Sequence, residues 1–283
     1  MSAPAVSVAD RFAPAVLWRR FKQSLYRDYC HAAGRRYLEL RPDDVLVDVG
    51  GGGAYYMGRL APAVRHAILV DRFEGMYESS RELARQARAA HPFSLVSADA
   101  HVLPFRNGSV TKVFSNQVLE HLDDPARFLA EIGRVLRPGG RAVVISQNAR
   151  FLGRYGFPGR RVLHRLLPAR WQEGNCFLSG GYEAWERAVG HLHRFTREGY
   201  AAMASHAGLD VVGIEAVHHR LSMALWEWEA ASMHHPTAGL WVRVVSRGGL
   251  QPITRAIERL TGRDGLDLIG VFRKPGHREE GSA

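Results

Sequence analysis

Apolar and polar residues alternate along the chain in two rhythms. Short apolar stretches at Val45–Val49, Ala67–Val70, Phe93–Val96, Val110–Ser115, Arg141–Ser146, Val211–Ala216 and Leu266–Phe272 have the length and composition of strands. The segments between them repeat at helical spacing. Gly75–Ala90 sends Met76, Leu83, Ala84 and Ala87 to one side, and Tyr55–Leu60 starts a helix directly after a glycine run. Pro125–Leu136 begins behind Asp123-Asp124 and stops at Arg137-Pro138-Gly139-Gly140, while Thr196–Ala207 carries a capping threonine with Glu198 close behind it. Ahead of the first strand, Leu17, Phe21, Leu25, Tyr29 and Ala33 recur about every four residues, which predicts one or two amphipathic helices over Val16–Leu40. Strands separated by helices of this length make a parallel sheet, so the fold class is α/β.

Two stretches break the rhythm. Asn148–Gly190 is rich in Gly, Pro, Arg and aromatics without strand alternation, and Leu221–Leu260 strings Trp226, Trp228, Met233 and Trp241 between arginines. The chain therefore divides into an N-terminal helical segment (1–40), a core (41–147), a cap insertion (148–190), a continuation of the core (191–220), a helical insertion (221–262) and a last strand with its tail (263–283). With 283 residues and 46% hydrophobic content it can bury a full core.

The net charge of +10 raises the prior for an anionic partner. Arginine supplies nearly all of it, with lysine only at Lys22, Lys112 and Lys274, a coding-bias pattern that weakens any inference about partners. Cys30 and Cys176 are too few and too far apart for a disulfide framework or a metal knuckle, so free thiols and a reducing cytoplasm are expected. No segment approaches the eighteen or so apolar residues of a spanning helix, and the first residues lack a signal-peptide pattern.

The chemistry gathers at the ends of the apolar runs. Val45–Val49 leads into Gly50-Gly51-Gly52-Gly53-Ala54, a strand-to-helix turn of the kind that lets backbone touch a ligand. A dinucleotide turn wants G-x-G-x-x-G, but counting from Gly50 or Gly51 puts Tyr55 or Tyr56 at the last position, where the ring would obstruct a pyrophosphate. Asp71 and Asp99 then follow the second and third strands.

These residues, together with Leu103-Pro104-Phe105, Asn116-Gln117-Val118-Leu119-Glu120-His121-Leu122 and Leu136-Arg137-Pro138-Gly139-Gly140, resemble the class I S-adenosylmethionine-dependent methyltransferases, most of all their small-molecule, type 11-like branch. The resemblance is strong over residues 44–147 and absent from both insertions. It implies a Rossmann-like, seven-stranded, mostly parallel sheet with helices on both faces, S-adenosylmethionine as methyl donor and S-adenosylhomocysteine as product. It further implies that Gly50 and Gly52 let the backbone approach the methionine portion and that Asp48 holds the loop and reaches the ammonium. Asp71, with Arg72 beside it, serves the ribose hydroxyls; Asp99 takes the adenine amine, and Ala100 adds a backbone contact. Asn116, Gln117 and Val118 line the methyl region. Ala54 departs from the family pattern, which has a third glycine there.

On the acceptor side, His121, His191 and His193 are the candidate catalytic residues, since an imidazole titrates near working pH. Packing at a helix start is the competing reading for each. No zinc or iron ligand set emerges from histidine spacing along the chain, so no metal is expected. Tyr26 and Tyr29 are candidates for a lid or for packing. In the cap, Tyr155, Trp171, Tyr182 and Trp185 offer an aromatic wall, and its arginines offer a site for an anion. The expected partner is a small-molecule acceptor of a biosynthetic pathway, methylated on oxygen, nitrogen or carbon. Nucleic acid is disfavoured, because Asn116-Gln117-Val118-Leu119 lacks the Asn-Pro-Pro-aromatic motif of base methylation. Residues 221–262 leave a lid, a homodimer interface and a membrane-surface or lipid-facing element open.

Overall fold

The computed structural model describes residues 24–72, 85, 88–89, 92–152, 190–218, 253, 256 and 265–276. Residues 153–189 of the expected cap, the 221–260 insertion apart from Ile253 and Ala256, and most of the helix at 75–90 lie outside these residues, although Arg85, Arg88 and Ala89 are helical. The chain divides into two compact units. One comprises Cys30–Gly153, Val189–Ala216 and Leu266–Ala283; the other comprises Met1–Tyr29, Arg154–Ala188 and Val217–Gly265. In the second unit Tyr29 packs edge-on against His218, with ring centroids 4.8 Å apart.

The first unit holds a seven-stranded sheet. Its strands are β1 (Val45–Val49), β2 (His66–Asp71), β3 (Ser94–Ser97), β4 (Val110–Asn116), β5 (Leu136–Gln147), β6 (Asp210–Val217) and β7 (Asp267–Arg273). They lie side by side in the order β3-β2-β1-β4-β5-β7-β6. Strands β3, β2, β1, β4 and β5 run parallel, while β7 is antiparallel to β5. All seven predicted strands are present, each within two residues of its predicted ends except at the start of β5. That strand begins five residues early, because Arg137-Pro138-Gly139-Gly140 is absorbed into it through a register shift opposite Val110 and Lys112 and does not form a free turn.

Among the described residues the α-helices with defined bounds are α1 (Ser24–Leu38), α2 (Met57–Leu60), α3 (Pro125–Val135), α4 (Ala149–Leu152) and α5 (Arg197–His206). The helix after the glycine run is shorter than its sequence suggests. Residues 52–56 form turns, and Pro62 ends the segment as a 3-10 turn at Ala61–Ala63. Helix α3 follows the pattern closely. The Asp124 carboxylate caps it by accepting from the Arg127 N–H at 2.9 Å, Pro125 sits in its first turn, and Phe128, Leu129, Ile132 and Val135 are fully buried. Each such side chain contributes roughly 1.5–3 kcal/mol.

The same helix pins a loop that matters for the site. Arg134 donates to the carbonyls of Phe105 (2.7 Å) and Leu103 (2.8 Å), and Glu131 accepts from the Leu103 N–H at 2.7 Å. The Arg134 guanidinium in turn holds the Glu131 carboxyl below the ordinary carboxylate range. Leu103-Pro104-Phe105 is thereby fixed directly downstream of Asp99.

Candidate active site

Because the first five strands of the order are parallel, their carboxyl ends share one edge of the sheet. The chain order reverses between β1 and β4, the place where open α/β sheets leave a crevice. The glycine turn follows β1 at that edge. Its entry is held by the Gly50 N–H bond to the Val70 carbonyl (2.7 Å) and closed by Ala54 N–H to the Gly51 carbonyl (2.9 Å).

Gly50 and Gly52 both take left-handed backbone, at φ +73° and +49°, but for different reasons. A Cβ at Gly50 runs into the Val118 side chain, so this glycine admits the segment after β4. Among the described residues, nothing lies within 4 Å of a Cβ at Gly52, which leaves open space over the turn. Ala54, in the third glycine's place, is buried at φ +59°, a conformation that costs an L-residue roughly 1–2 kcal/mol. The tyrosines after it are occupied by packing. The Tyr56 ring lies 5.2 Å from Phe114, and Arg59 stacks 4.6 Å over Tyr55.

Three carboxylates stand at this edge of the sheet. Asp71 ends β2 and accepts from the Gly52 N–H at 2.9 Å, so the strand tip and the turn are joined. Asp48 lies beneath the turn, 1% exposed, and an added Cβ on Gly51 would sit 2.7 Å from its Oδ2. That oxygen has no hydrogen-bond partner among the described residues. Burial, reinforced by the Asp71 charge, pushes the Asp48 carboxyl up to about 8. Asp99, beyond β3, contrasts with it. Half exposed, it accepts the His101 N–H and faces His101 Nδ1, both at 2.8 Å, and the backbone bond first of all holds its carboxyl below the ordinary value. Arg72 follows Asp71, and its carbonyl accepts from Ser97 Oγ at 3.2 Å.

At the end of β4, Asn116 Oδ1 is buried without a partner among the described residues. Gln117, left-handed at φ +55°, donates from Nε2 to Asp267 at 2.9 Å and accepts from Gln147 Nε2 at 3.2 Å. Its side chain is thus tied into the sheet edge, and the adjacent Val118 faces the turn.

A second cluster forms four residues further on. The 190–195 segment is laced to the core by backbone bonds. Leu192 and His193 N–H groups both reach the Glu120 carbonyl (2.8 and 3.1 Å), Phe195 N–H donates to Gln147, and Ala149 N–H donates to Phe195. This brings His191 beside His121, with ring centroids 4.7 Å apart and edge to face. Glu120, fully buried, completes the group; donor atoms of Glu120, His121 and His191 all lie within 4.8 Å of one another. Glu120 Oε2 accepts from Ser146 Oγ at 2.7 Å, and Oε1 has no partner among the described residues. Burial pushes the Glu120 carboxyl up to about 8. It depresses His121 below the usual imidazole range and, helped by the His121 charge, takes His191 down to about 4. His193 points elsewhere, its ring tilted against Phe195 at 6.3 Å.

The fold therefore gathers Asp48, Gly50, Gly52, Asp71, Arg72, Asp99, Ala100, Asn116 and Gln117 along one sheet edge, and it pairs two of the three candidate histidines. Sequence reading missed His101 as the residue that clamps Asp99. It also assigned no role to Glu120, although an acid inside the apolar run Val118–Leu122 is an available signal. The aromatic wall of the cap and the Tyr26 side chain lie outside the described residues.

Known proteins resemble this chain in sequence and in fold. Residues 47–144 match the methyltransferase-domain family Methyltransf_11. A malonyl-[acyl-carrier protein] O-methyltransferase of Hahella chejuensis is 36% identical over 135 residues, 45% of this chain and 47% of that protein. A ubiquinone biosynthesis O-methyltransferase of Methylococcus capsulatus is 28% identical over 231 residues, 81% of this chain and 76% of that protein. Among solved structures, the geranyl diphosphate C-methyltransferase of Streptomyces coelicolor, in complex with Mg2+, geranyl diphosphate and S-adenosylhomocysteine, superposes with a TM-score of 0.56. It has 17% identity and covers 87% of this chain and 77% of that one. Against several curated relatives the chain spans about half of their length, 43% and 47% in two cases.

The family match, the relatives and the fold support a class I S-adenosylmethionine-dependent methyltransferase. Within that class, the segment 47–144 is a methyltransferase domain of the Methyltransf_11 family.

Proposed function

We propose that the protein transfers a methyl group from S-adenosylmethionine to a small-molecule acceptor of a biosynthetic pathway, releasing S-adenosylhomocysteine. One observation carries this reading: the glycine turn, Asp71 bonded to it, and two buried oxygens without donors among the described residues, Asp48 Oδ2 and Asn116 Oδ1, stand on one sheet edge. An ammonium group offers three N–H donors, which suits buried acceptors of this kind. Bound there, S-adenosylmethionine supplies an electrophilic methyl group on a sulfonium sulfur.

The remaining work belongs to the chain. Asp71 accepts from the ribose hydroxyls beside Arg72, Asp99 uses its other oxygen for the adenine amine next to Ala100, and the open space over Gly52 accommodates the bound molecule. Methyl transfer is an in-line displacement, so alignment and water exclusion account for much of the acceleration. For a hydroxyl acceptor, His121 or His191 takes the proton, since burial keeps both unprotonated at neutral pH. His193 is the third candidate. Residues 148–190 are the proposed acceptor cap, 1–40 a helical lid, and 221–262 a lid, dimer or membrane-surface element. The names of the two O-methylating relatives support a biosynthetic acceptor.

Calorimetry with S-adenosylhomocysteine tests the reading, with NADH as comparator. Saturable binding of the first alone is the expected result. Binding of NADH without S-adenosylhomocysteine would overturn the assignment.

A further inference from the structure

The structure assigns a second site to this chain: we propose that Glu120, His121 and His191 bind one divalent transition-metal ion. Three observations converge on it. First, a carboxylate oxygen and two imidazole nitrogens lie within 4.8 Å of one another, although the chain separates them by seventy residues. Ligands about 2.1 Å from a Zn2+ ion stand roughly 3–3.5 Å apart, so side-chain rotation closing the widest separation by roughly 1.3–1.8 Å completes the geometry.

Second, Glu120 is fully enclosed, and Oε1 has no hydrogen-bond partner among the described residues. Its other oxygen is fixed by Ser146 Oγ at 2.7 Å. A buried carboxylate that is half satisfied in this way is costly unless a cation or donor meets the second oxygen. Third, His121 Nδ1 stands 3.2 Å from the Gly190 carbonyl. A carbonyl only accepts, so this contact places the proton on Nδ1 and leaves the Nε2 lone pair for a ligand. Metal-binding histidines are oriented by just such an outer contact.

The backbone that carries the donors is already braced. Leu192 and His193 N–H groups bond to the Glu120 carbonyl itself, so the 190–195 segment and the acid form one frame. The donor set of one oxygen and two nitrogens selects Zn2+, Co2+, Ni2+ or Fe2+ over Mg2+ and Ca2+, which favour all-oxygen shells. Three protein ligands leave coordination positions open, as catalytic ions require. An acceptor oxygen bound there would be acidified for methylation, in place of proton uptake by His121 or His191. That use rests on the methyl-transfer reading, whereas ion binding does not.

Titrating the metal-free protein with Co2+ and following its visible absorption tests the site, with Zn2+ competition and metal analysis after dialysis. One equivalent of Co2+ is expected, displaced by Zn2+. Glu120→Gln and His191→Ala should each weaken binding by at least about 100-fold, beyond the 10–100-fold of outer-contact changes. His193→Ala should leave it unchanged, and thermal melts establish that each variant folds. Absence of saturable binding to wild type, or binding that survives both ligand substitutions, overturns the proposal. S-adenosylhomocysteine calorimetry on the same samples separates the two readings, because loss of one interaction with retention of the other identifies which has failed.

Discussion

The edge around the glycine turn and the cluster around Glu120 are built by opposite means. At the turn, each functional group lies in the last residues of its own strand or within three residues after it, and the parallel pairing of β3, β2, β1 and β4 aligns them without further help. At the cluster, the groups come from Leu119–His121 and from a segment seventy residues later, held together by N–H bonds to the Glu120 carbonyl. The first region presents open space over Gly52 and a half-exposed Asp99, whereas the second sets a fully buried acid beside an exposed His121 and a half-buried His191. A site written along the strands is suited to holding a large, charged nucleoside. One assembled across the fold is suited to tuning a few reactive atoms.

The contrast breaks most severely at Gly50. Gly50→Ala adds a Cβ that collides with Val118 at a backbone angle L-residues avoid, so urea unfolding should show a loss of about 3 kcal/mol or more. Pairing it with Val118→Ala should recover the collision but not the backbone part. Gly52→Ala, with nothing within 4 Å among the described residues, should cost only about 1–2 kcal/mol of stability while weakening S-adenosylhomocysteine binding through the space it fills. Equal stability losses for the two glycine variants would erase the distinction drawn between them.

Next in size is Asp71→Ala. It removes the proposed ribose acceptor and also the partner of the Gly52 N–H, so cofactor affinity should fall by roughly 1.5–3 kcal/mol. Co2+ binding at Glu120 should be unmoved. A calorimetric titration that matches wild type would remove Asp71 from the site.

How much of this could be read from residues alone follows the same division. Val45–Val49 and its glycine turn were legible to the residue, because strand, carboxylate and turn are contiguous and each has a local physical cause. Asp71 and Asp99 were legible for the same reason. The edges of β5 were not, since Pro138 and the two glycines signal a turn while the neighbouring strand β4 draws them into a bulged pairing. The Glu120 cluster was invisible in spacing, because nothing local links residue 120 to residue 191. Burial of Glu120 depends on Ser146 and the 190–195 segment, which only the fold brings near. His101 was missed because a histidine two residues past an aspartate carries no pattern until the loop is bent around it.

Asp48 and Glu120 both bear carboxyls pushed up to about 8 by burial, one in each region. Their native values exceed the unfolded ones near 4, so the folded chain holds more protons and stability falls as pH rises from about 4 to about 8. Each group contributes a slope of about 1.4 kcal/mol per pH unit inside that window. Asp48→Asn and Glu120→Gln should each flatten the denaturant-derived stability profile by one such share. Saturating S-adenosylhomocysteine should remove only the Asp48 share, with proton release on binding at pH 7 visible as a buffer-dependent heat. A ligand that flattens both shares, or neither, would show that the two regions are not separate in function.

The smallest effect is expected at Thr196, which sits at the junction between the 190–195 segment and α5. Its side chain caps α5 by accepting from the Gly199 N–H at 3.1 Å, and Thr196→Ala should cost about 1 kcal/mol of stability. Loosening this cap frays the frame around His191 while touching nothing near the glycine turn. Co2+ affinity should therefore drop by a small factor and S-adenosylhomocysteine affinity should stay at the wild-type value. If the cofactor titration weakened along with the metal titration, the sheet edge and the cluster would have to be treated as one cooperative unit, since a one-hydrogen-bond change at α5 reaches Asp71 and Asp48 only through such coupling.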